Sequence, residues 1–438
     1  MSENVGPSGQ GSPEAAASAR PRVLVVGGKV RQLRKARELG LDVVHAQYPN
    51  AYGSEHWPYV DQALLLDYSD VDRVLPMARA LHEEFPFRTA VTLTEFGLLP
   101  AARINEALGL TGESVETVEL LLDKARMRQR LAEKGISPVA SAVGRSTQDV
   151  RDFVAAHGLP IIVKPVRESG SLAVFCVREE AEVDAVAEKY RSLNDKDWAQ
   201  GDVAFADTFQ EFLMEEYLEG PLFSVETLSF DGRHVVVATT GRELGGSGFA
   251  EFGTTGFAEI GLSMPAPHPP EAVAEATRLV FDFLDAVGLR NGPGHTEVKL
   301  TPRGPRILES HNRIGGYAIN EMAEHVYGVD MERYALAAGF GLLEPLEGAP
   351  EPRGAMALRC LLPEPGRVVE VTGVEAVRAD PAFVDLHVMV RPGDVVNPLT
   401  WNEDIGGYVV ARGADAEEAI AHSRRLAAAV HVRTEPVA

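Results

Sequence analysis

Two cysteines in 438 residues, Cys176 and Cys360, cannot build a disulfide framework, and neither stands in the CxxC spacing that grips zinc. That pattern fits a reducing, cytoplasmic setting. No apolar run approaches the ~20 residues a membrane helix needs, which excludes a membrane-spanning role. Basic residues are also scarce: 42 Lys plus Arg face 64 Asp plus Glu, for a formal net charge of -22. Such a chain has no means of non-specific attachment to nucleic acid or to an anionic membrane, and any anionic ligand needs a local positive site. A GxGxxG turn is missing as well. Gly27 and Gly28 follow an apolar strand, Val23 to Val26, but no acidic residue ends the next strand, which argues against a dinucleotide site.

What is present is ordinary for a globular chain, 45% hydrophobic and 24% charged, and its length calls for roughly two to four domains. Residues 1–20, MSENVGPSGQGSPEAAASAR, lack a basic start and an apolar stretch, so they read as a disordered tail rather than a secretory signal. From Pro21 the alternation of apolar strand, basic helix and apolar strand predicts a βαβ-type domain over 21–112. A charged amphipathic helix is predicted over 113–134. IIVKPV and LAVFCV then read as strands around a glycine-serine loop, followed by a polar helix over about 180–200. FLMEEYLEGPLFSVETLSFDGRHVVVATT reads as strand, turn, strand, turn, strand, and GHTEVKLTPRGPRILES as a hairpin turning at TPRGP. Residues 346–438 close the chain as a small α+β unit, ending in a helix at 415–431.

Chemistry concentrates in three places. If the TPRGP turn is symmetric about Arg303, Glu297 and Glu309 oppose each other on one sheet face. Facing like charges destabilise a strand pair unless a cation lies between them, and two carboxylates are what a magnesium ion takes before phosphate and water complete its shell. Upstream, Lys164 ends an apolar strand and precedes Glu168, Ser169, Gly170 and Ser171. A lysine there can reach phosphate as a point charge while the small residues let backbone N–H groups approach oxygen. A snorkelling lysine and a plain turn would look the same, and Lys124 reads equally well as a solvated helix charge. FLMEEYLEG, finally, could bond a planar ring through its backbone between apolar side chains.

The order of these pieces closely resembles the ATP-grasp superfamily: helix lysine, strand lysine with its loop, EEYLEG hinge, then a two-glutamate hairpin ending in ESHNRIGG. Near the C-terminus, LLPEPGRVVEVTG and RPGDVV resemble the L-amino-acid ligase and related carboxylate-amine ligase branches. The resemblance implies an α/β and α+β multidomain chain: a Rossmann-like pre-ATP-grasp domain at 21–112, the ATP-grasp fold at 113–345 with a central lid at about 140–220, and a C-terminal subdomain at 346–438. It further implies that Lys124 and Lys164 hold ATP phosphates under Ser169, Gly170 and Ser171. Glu215, Tyr217 and Leu218 would form the adenine hinge, Glu297 and Glu309 would ligate magnesium, and Arg313 would grip the transferred phosphate or the acyl intermediate. Gly315 and Gly316 would let backbone approach substrate.

Two departures from the family pattern leave roles open. Where Glu-x-Asn-x-Arg is usual, His311 holds the asparagine place and Asn312 follows it, so either could complete the metal shell; Asn312 is taken as the ligand and His311 as a substrate contact. Leu222 stands where a ribose-binding glutamate is usual, and Glu226 is the substitute. Substrate selection falls to residues 241–261, where Arg242 could pair a carboxylate and Glu243, Glu251 or Glu259 an amine.

The expected activity is ATP- and Mg2+-dependent joining of a small carboxylic or amino acid to an amine through an acylphosphate. Two metal ions are expected, with Mn2+ able to replace them, and a homodimer by resemblance. Alternatives are a bicarbonate-using carboxylase of the same superfamily, a non-catalytic ATP-binding regulator, against which the paired glutamates count, and a nicotinamide oxidoreductase, against which the missing glycine fingerprint counts.

Overall fold

The computed structural model describes residues 20–192, 210–245, 257–399 and 402–437; the expected tail at 1–20 lies outside them save for Arg20. The chain opens with strands β1 (Arg22–Val26), β2 (Asp42–Gln47), β3 (Gln62–Leu65) and β4 (Thr89–Thr92), and helices α1 (Val30–Glu38), α2 (Val71–Glu84) and α3 (Leu98–Leu108). The strands form a parallel sheet in the order β3-β2-β1-β4. Leu24 and Val26 join one core while Val23 and Val25 join another. Burial on both faces explains why β1 is a continuous apolar run rather than an alternating one.

The single helix expected over 113–134 is two, α4 (Val115–Leu122) and α5 (Lys124–Glu133). Asp123 breaks the run: it is extended, and its side chain accepts from the N–H groups of Ala125 and Arg126, capping α5. Lys124 therefore starts a helix instead of riding along one, and its backbone N–H donates to Val166 O (2.9 Å).

Next come β5 (Ser141–Gly144), α6 (Thr147–His157), β6 (Ile161–Pro165), β7 (Phe175–Val177), α7 (Glu180–Ser192) and β8 (Phe212–Glu216), with the strands antiparallel in the order β5-β8-β6-β7. Phe153, Ile161, Val163, Val186 and Phe212 share one core that fastens both helices to this sheet. The expected extension of α7 to about 200 falls outside the described residues.

The remaining elements are β9 (Leu222–Phe230), β10 (Arg233–Gly245), β11 (Ala258–Met264), α8 (Pro270–Val287), β12 (Gly292–Thr301), β13 (Gly304–His311), α9 (Ile319–Tyr327), α10 (Met331–Ala337), β14 (Ala355–Leu361), β15 (Gly366–Thr372), α11 (Val374–Arg378), β16 (Phe383–Val388), β17 (Val395–Val396), β18 (Gly407–Gly413), α12 (Ala416–Ala429) and β19 (His431–Glu435). An eight-stranded sheet runs β13-β12-β9-β10-β11-β14-β18-β16. The closing α+β unit is thus no separate sheet: β14 pairs with β11 from Gly261↔Arg359 to Met264↔Met356. Only β17-β15-β19 stands apart, as a three-stranded sheet.

Candidate active site

The hairpin of β12 and β13 sets the site. Its turn holds Pro302 and Arg303 between the paired Thr301 and Gly304, so it is centred between those two residues rather than on Arg303. Continued evenly, that register would set Glu297 against Leu308 and turn Glu309 to the other face. A shift between Glu297 and Val298 absorbs one residue and sets Glu297 opposite Glu309. Arg128 of α5 braces the irregular stretch, donating from Nη1 to Ile307 O (2.7 Å) and from Nη2 to Leu308 O (3.1 Å).

Each carboxylate is flanked by a cation and an imidazole. Lys124 Nζ lies 3.4 Å from Glu309 Oε2 and His311 Nε2 3.4 Å from Glu309 Oε1. Burial works to raise the Glu309 pKa, but Lys124 and His311 outweigh it and hold the group well below the usual carboxylate range. On the opposite strand, Arg242 Nη2 and His295 Nε2 each lie 3.5 Å from Glu297 Oε1. There too burial is overcome, chiefly by Arg242 and His295, and Glu297 stays ionised.

Two pockets meet at this pair. One is walled by the apolar side chains of Ile162, Leu172, Val174, Leu218, Leu222 and Leu308, with Tyr217 at its rim and Lys124 and Lys164 at its inner end. Both lysines are buried, at 6% and 5% exposure, so neither is a solvated helix charge or a snorkelling chain. Lys164 Nζ sits 2.7 Å from Glu215 Oε2, and Arg128 Nε donates to the same carboxylate. Burial lowers the Lys164 pKa, against the pull of Glu215; burial would raise Glu215, yet Arg128 and Lys164 hold it at about 2. Ser169 and Ser171 line this pocket. Their loop is tied down by Lys124 Nζ, which donates to Glu168 O, by Ser171 Oγ, which donates to Phe257 O (3.0 Å), and by Asn402 N, which donates to Gly170 O (3.2 Å).

The other pocket is polar and draws on distant parts of the chain: Arg242, His295, His311 and Arg313 line it together with Glu95, Gly315 and Gly316, and it shares Ser169, Glu259, Glu297 and Glu309 with the first. Glu95 lies in the turn after β4, 216 residues from His311, whose Nδ1 is 3.0 Å from Glu95 Oε1; Arg313 Nε donates to Glu95 Oε2. A Cβ on Gly315 would stand 2.5 Å from Ile319 Cδ1 and 2.7 Å from His295 Nδ1, so the chain passes too close to His295 for any side chain, whereas Gly316 faces open space.

Several expected roles move. Glu226 does not reach the cleft. It is fully buried with Ser224 Oγ donating to it (2.6 Å) and His295 Nδ1 at 2.8 Å; four residues along β9 from Leu222, it is about 13 Å from the ribose position that Leu222 marks. Asn312 does not join the metal pair either. Side chains alternate along a strand, so Glu309 and His311 share a face, whereas Asn312 lines a different cavity near Thr89 and Pro293, its buried Oδ1 without a partner among the described residues. Glu215 braces Lys164 and lines the pocket together with Glu216, Tyr217 and Leu218. Arg242 is engaged on both Nη atoms, Nη1 with Glu259 and Nη2 with His295 and Glu297, so Glu259 is likewise engaged within the protein. Glu243 is held on the far side by Arg359 Nη1 (2.6 Å) and Arg424 Nη2 (2.8 Å). Glu251 lies outside the described residues. Sequence reading missed Glu95, Arg128 and His295, none of which belongs to a local motif; a glutamate directly after Thr92 and Thr94 at a strand end was the one available signal for Glu95.

The donor set fits a hard divalent cation. Among the described residues no three His, Cys, Asp or Glu side chains are grouped to enclose a metal by themselves; two facing carboxylates completed by phosphate oxygens are the arrangement magnesium favours. No helix of the described residues is long and apolar enough to cross a membrane.

Comparison with known proteins agrees with this architecture. The family described as ATP-grasp N-terminal domain matches residues 33–112, the ATP-grasp domain matches 157–321, and L-amino acid ligase C-terminal domain 2 matches 359–435. An L-arginine-specific L-amino acid ligase of Bacillus subtilis is 25% identical over 352 residues, 78% of this chain and 79% of that one. An alanine–anticapsin ligase of Bacillus subtilis is 28% identical over 270 residues, 58% of this chain; the match spans about half, 54%, of the ligase. The crystal structure of an L-amino acid ligase from Bacillus licheniformis superposes with a TM-score of 0.78 at 22% identity, over 95% of this chain and all of that one. At that identity the likeness speaks for the fold.

Proposed function

From the premise that this chain belongs to the ATP-grasp superfamily, in its L-amino-acid-ligase-like branch, we propose that it is an ADP-forming C–N ligase acting on a small carboxylic or amino acid and an amine. One observation carries the reading: the Glu297–Glu309 pair is the common wall of an apolar pocket lined by three buried lysines, Lys124, Lys164 and Lys299, and a polar pocket lined by Arg31, Arg242 and Arg313. A planar base fits between the apolar side chains of the first pocket against Glu216–Leu218, its phosphates reaching Lys164 and Lys124. The carboxylate and amine substrates occupy the second. The γ-phosphate and the acceptor then meet at the carboxylate pair.

Glu297 and Glu309 would hold magnesium, which when bound would offset phosphate charge. A carboxylate oxygen of the acid attacks the γ-phosphorus, the bond to the bridging oxygen of ADP breaks, and an acylphosphate forms. The amine nitrogen attacks the acyl carbon, the carbon–oxygen bond to phosphate breaks, and the nitrogen sheds a proton. Lys124, Lys164 and Arg313 offset negative charge as it spreads over the transferred group. The apolar walls exclude water, which would otherwise consume the acylphosphate.

The test is incubation with ATP, magnesium and pools of amino acids or other small acids, with hydroxylamine in place of the amine. The expected products are ADP, phosphate and a hydroxamate that names the acid. Formation of AMP and pyrophosphate would overturn the γ-phosphoryl mechanism. A bicarbonate-dependent carboxylase would yield no hydroxamate from any acid pool.

A further inference from the structure

We infer that Glu95, delivered by the N-terminal sheet, is a positioning residue that holds Arg313 away from the metal-binding carboxylates and fixes the orientation of His311 beside Glu309; the inference rests on the ligase reading. Its carboxylate is 17% exposed and both oxygens are engaged, Oε1 with His311 Nδ1 and Oε2 with Arg313 Nε. Burial disfavours the ionised form, yet the two cationic neighbours outweigh it and hold the group deprotonated. The mounting is rigid. Thr92 Oγ1 donates to Val26 O (2.8 Å) at the end of β1, and Thr94 N donates to Thr92 Oγ1 (3.2 Å), so the turn carrying Glu95 is pinned to two strand ends of the parallel sheet.

The need for such a residue is electrostatic. Arg313 is attracted not only by Glu95 but also by Glu309 and Glu297. Without Glu95, its guanidinium would turn toward the two carboxylates and compete with a divalent cation for them. His311 bridges the two anions, with Nδ1 at Glu95 and Nε2 at Glu309, so Glu95 sets which ring nitrogen faces the carboxylate pair. Charges alternate from Glu95 through Arg313 and His311 to Glu309 and Lys124, and the order depends on the anionic end. This gives the N-terminal sheet a purpose other than dinucleotide binding, consistent with its lack of the glycine fingerprint: the turn after β4 contributes Glu95 to a site whose carboxylate pair stands on the large sheet.

The experiment compares wild type with Glu95→Gln, which preserves shape and removes charge, and with Glu95→Asp, which preserves charge. Glu95→Gln is expected to lower kcat at least tenfold, to raise the magnesium concentration giving half-maximal rate, and to leave ATP affinity by calorimetry and the thermal midpoint close to wild type; Glu95→Asp should recover part of kcat. A kcat within twofold of wild type, or a loss matched by equal losses in ATP affinity and thermal midpoint, overturns the inference. If the wild-type chain itself turns over no acid, the ligase reading falls, and a crystal structure of Glu95→Gln decides this point separately: Arg313 displaced toward Glu309 supports the inference, and Arg313 in place refutes it.

Discussion

The two pockets share a wall of carboxylates and differ in nearly everything else. The nucleotide-side pocket is apolar, and most of its walls come from short stretches of sequence: β6 with its following loop, the end of β8, the start of β9 and the β12–β13 hairpin, joined by Lys124, Leu244, Phe257 and Glu259. The substrate-side pocket is polar and assembled from the start of α1, the turn after β4, the loop after β6, β10, β12, β13 with its following loop, α9, α10 and the C-terminal strands. A ligand common to a whole superfamily can be bound by local motifs. A particular acid and amine require charges placed by tertiary structure, and each such charge, once buried, must be matched by another. Hence the pairing of Arg242 with Glu259 and Glu297 on that side, and of Lys164 with Glu215 on the other.

Breaking the shared wall should erase the distinction between pockets. Glu309→Gln is expected to cut ATP turnover by at least about a hundredfold, the scale of losing a central electrostatic group, with an unchanged thermal transition; retained turnover would remove Glu309 from the metal site.

Arg128 connects the nucleotide side to the hairpin, since it binds Glu215, the partner of Lys164, and also the carbonyls of Ile307 and Leu308. Arg128→Ala leaves a buried carboxylate short of a partner and should destabilise the fold by about 3–5 kcal/mol. Urea unfolding with an unchanged midpoint would show that the bulge stands without it.

The pockets can then be separated. Lys164→Ala is expected to weaken ATP binding at least about tenfold, or ~1.4 kcal/mol. Gly315→Ala, whose new methyl would press on His295 and Ile319, should leave ATP affinity within about a factor of two, or ~0.4 kcal/mol, while slowing turnover several-fold. Calorimetry beside steady-state rates tests both, and a Gly315→Ala chain that loses ATP affinity would mean that the pockets are not independent.

The smallest effect concerns acid stability. Glu332 on α10 is gripped by Arg31 and Lys35 of α1, at 2.9 and 2.8 Å. Burial pushes its pKa up, but these partners bring it below the ordinary value of 4.5. A depressed carboxylate stabilises the fold above its unfolded pKa and loses that contribution as pH falls through the folded value. Glu332→Gln should therefore lower the thermal midpoint by about 2–4 °C at pH 7, and the gap to wild type should close below pH 4.5. A gap that does not narrow as pH falls below 4.5 would contradict the assignment.

The fold was legible where one rule governs a stretch. The continuous apolar run of β1, the 302–303 turn between its strands and the EEYLEG hinge all announce themselves, because their patterns follow from local backbone geometry and burial. The helix predicted over 113–134 failed at Asp123, where capping geometry outweighs periodicity. Asn312 was misassigned because the residue type of a family pattern was followed in place of its spacing and of strand alternation, both of which put His311 beside Glu309.

By itself, then, the amino-acid sequence determined the elements, the lysines, the two glutamates and the family to which their order belongs. Tertiary structure alone decided the bulge that brings Glu309 opposite Glu297, the Arg128 brace beneath it, and the 218-residue reach from Glu95 to Arg313. The physical reason is range. Secondary structure and turns arise from interactions within a few residues, which a pattern in sequence records, whereas the pairing of buried charges depends on which distant side chains the fold brings within about 3–4 Å of one another, and sequence spacing carries no record of that.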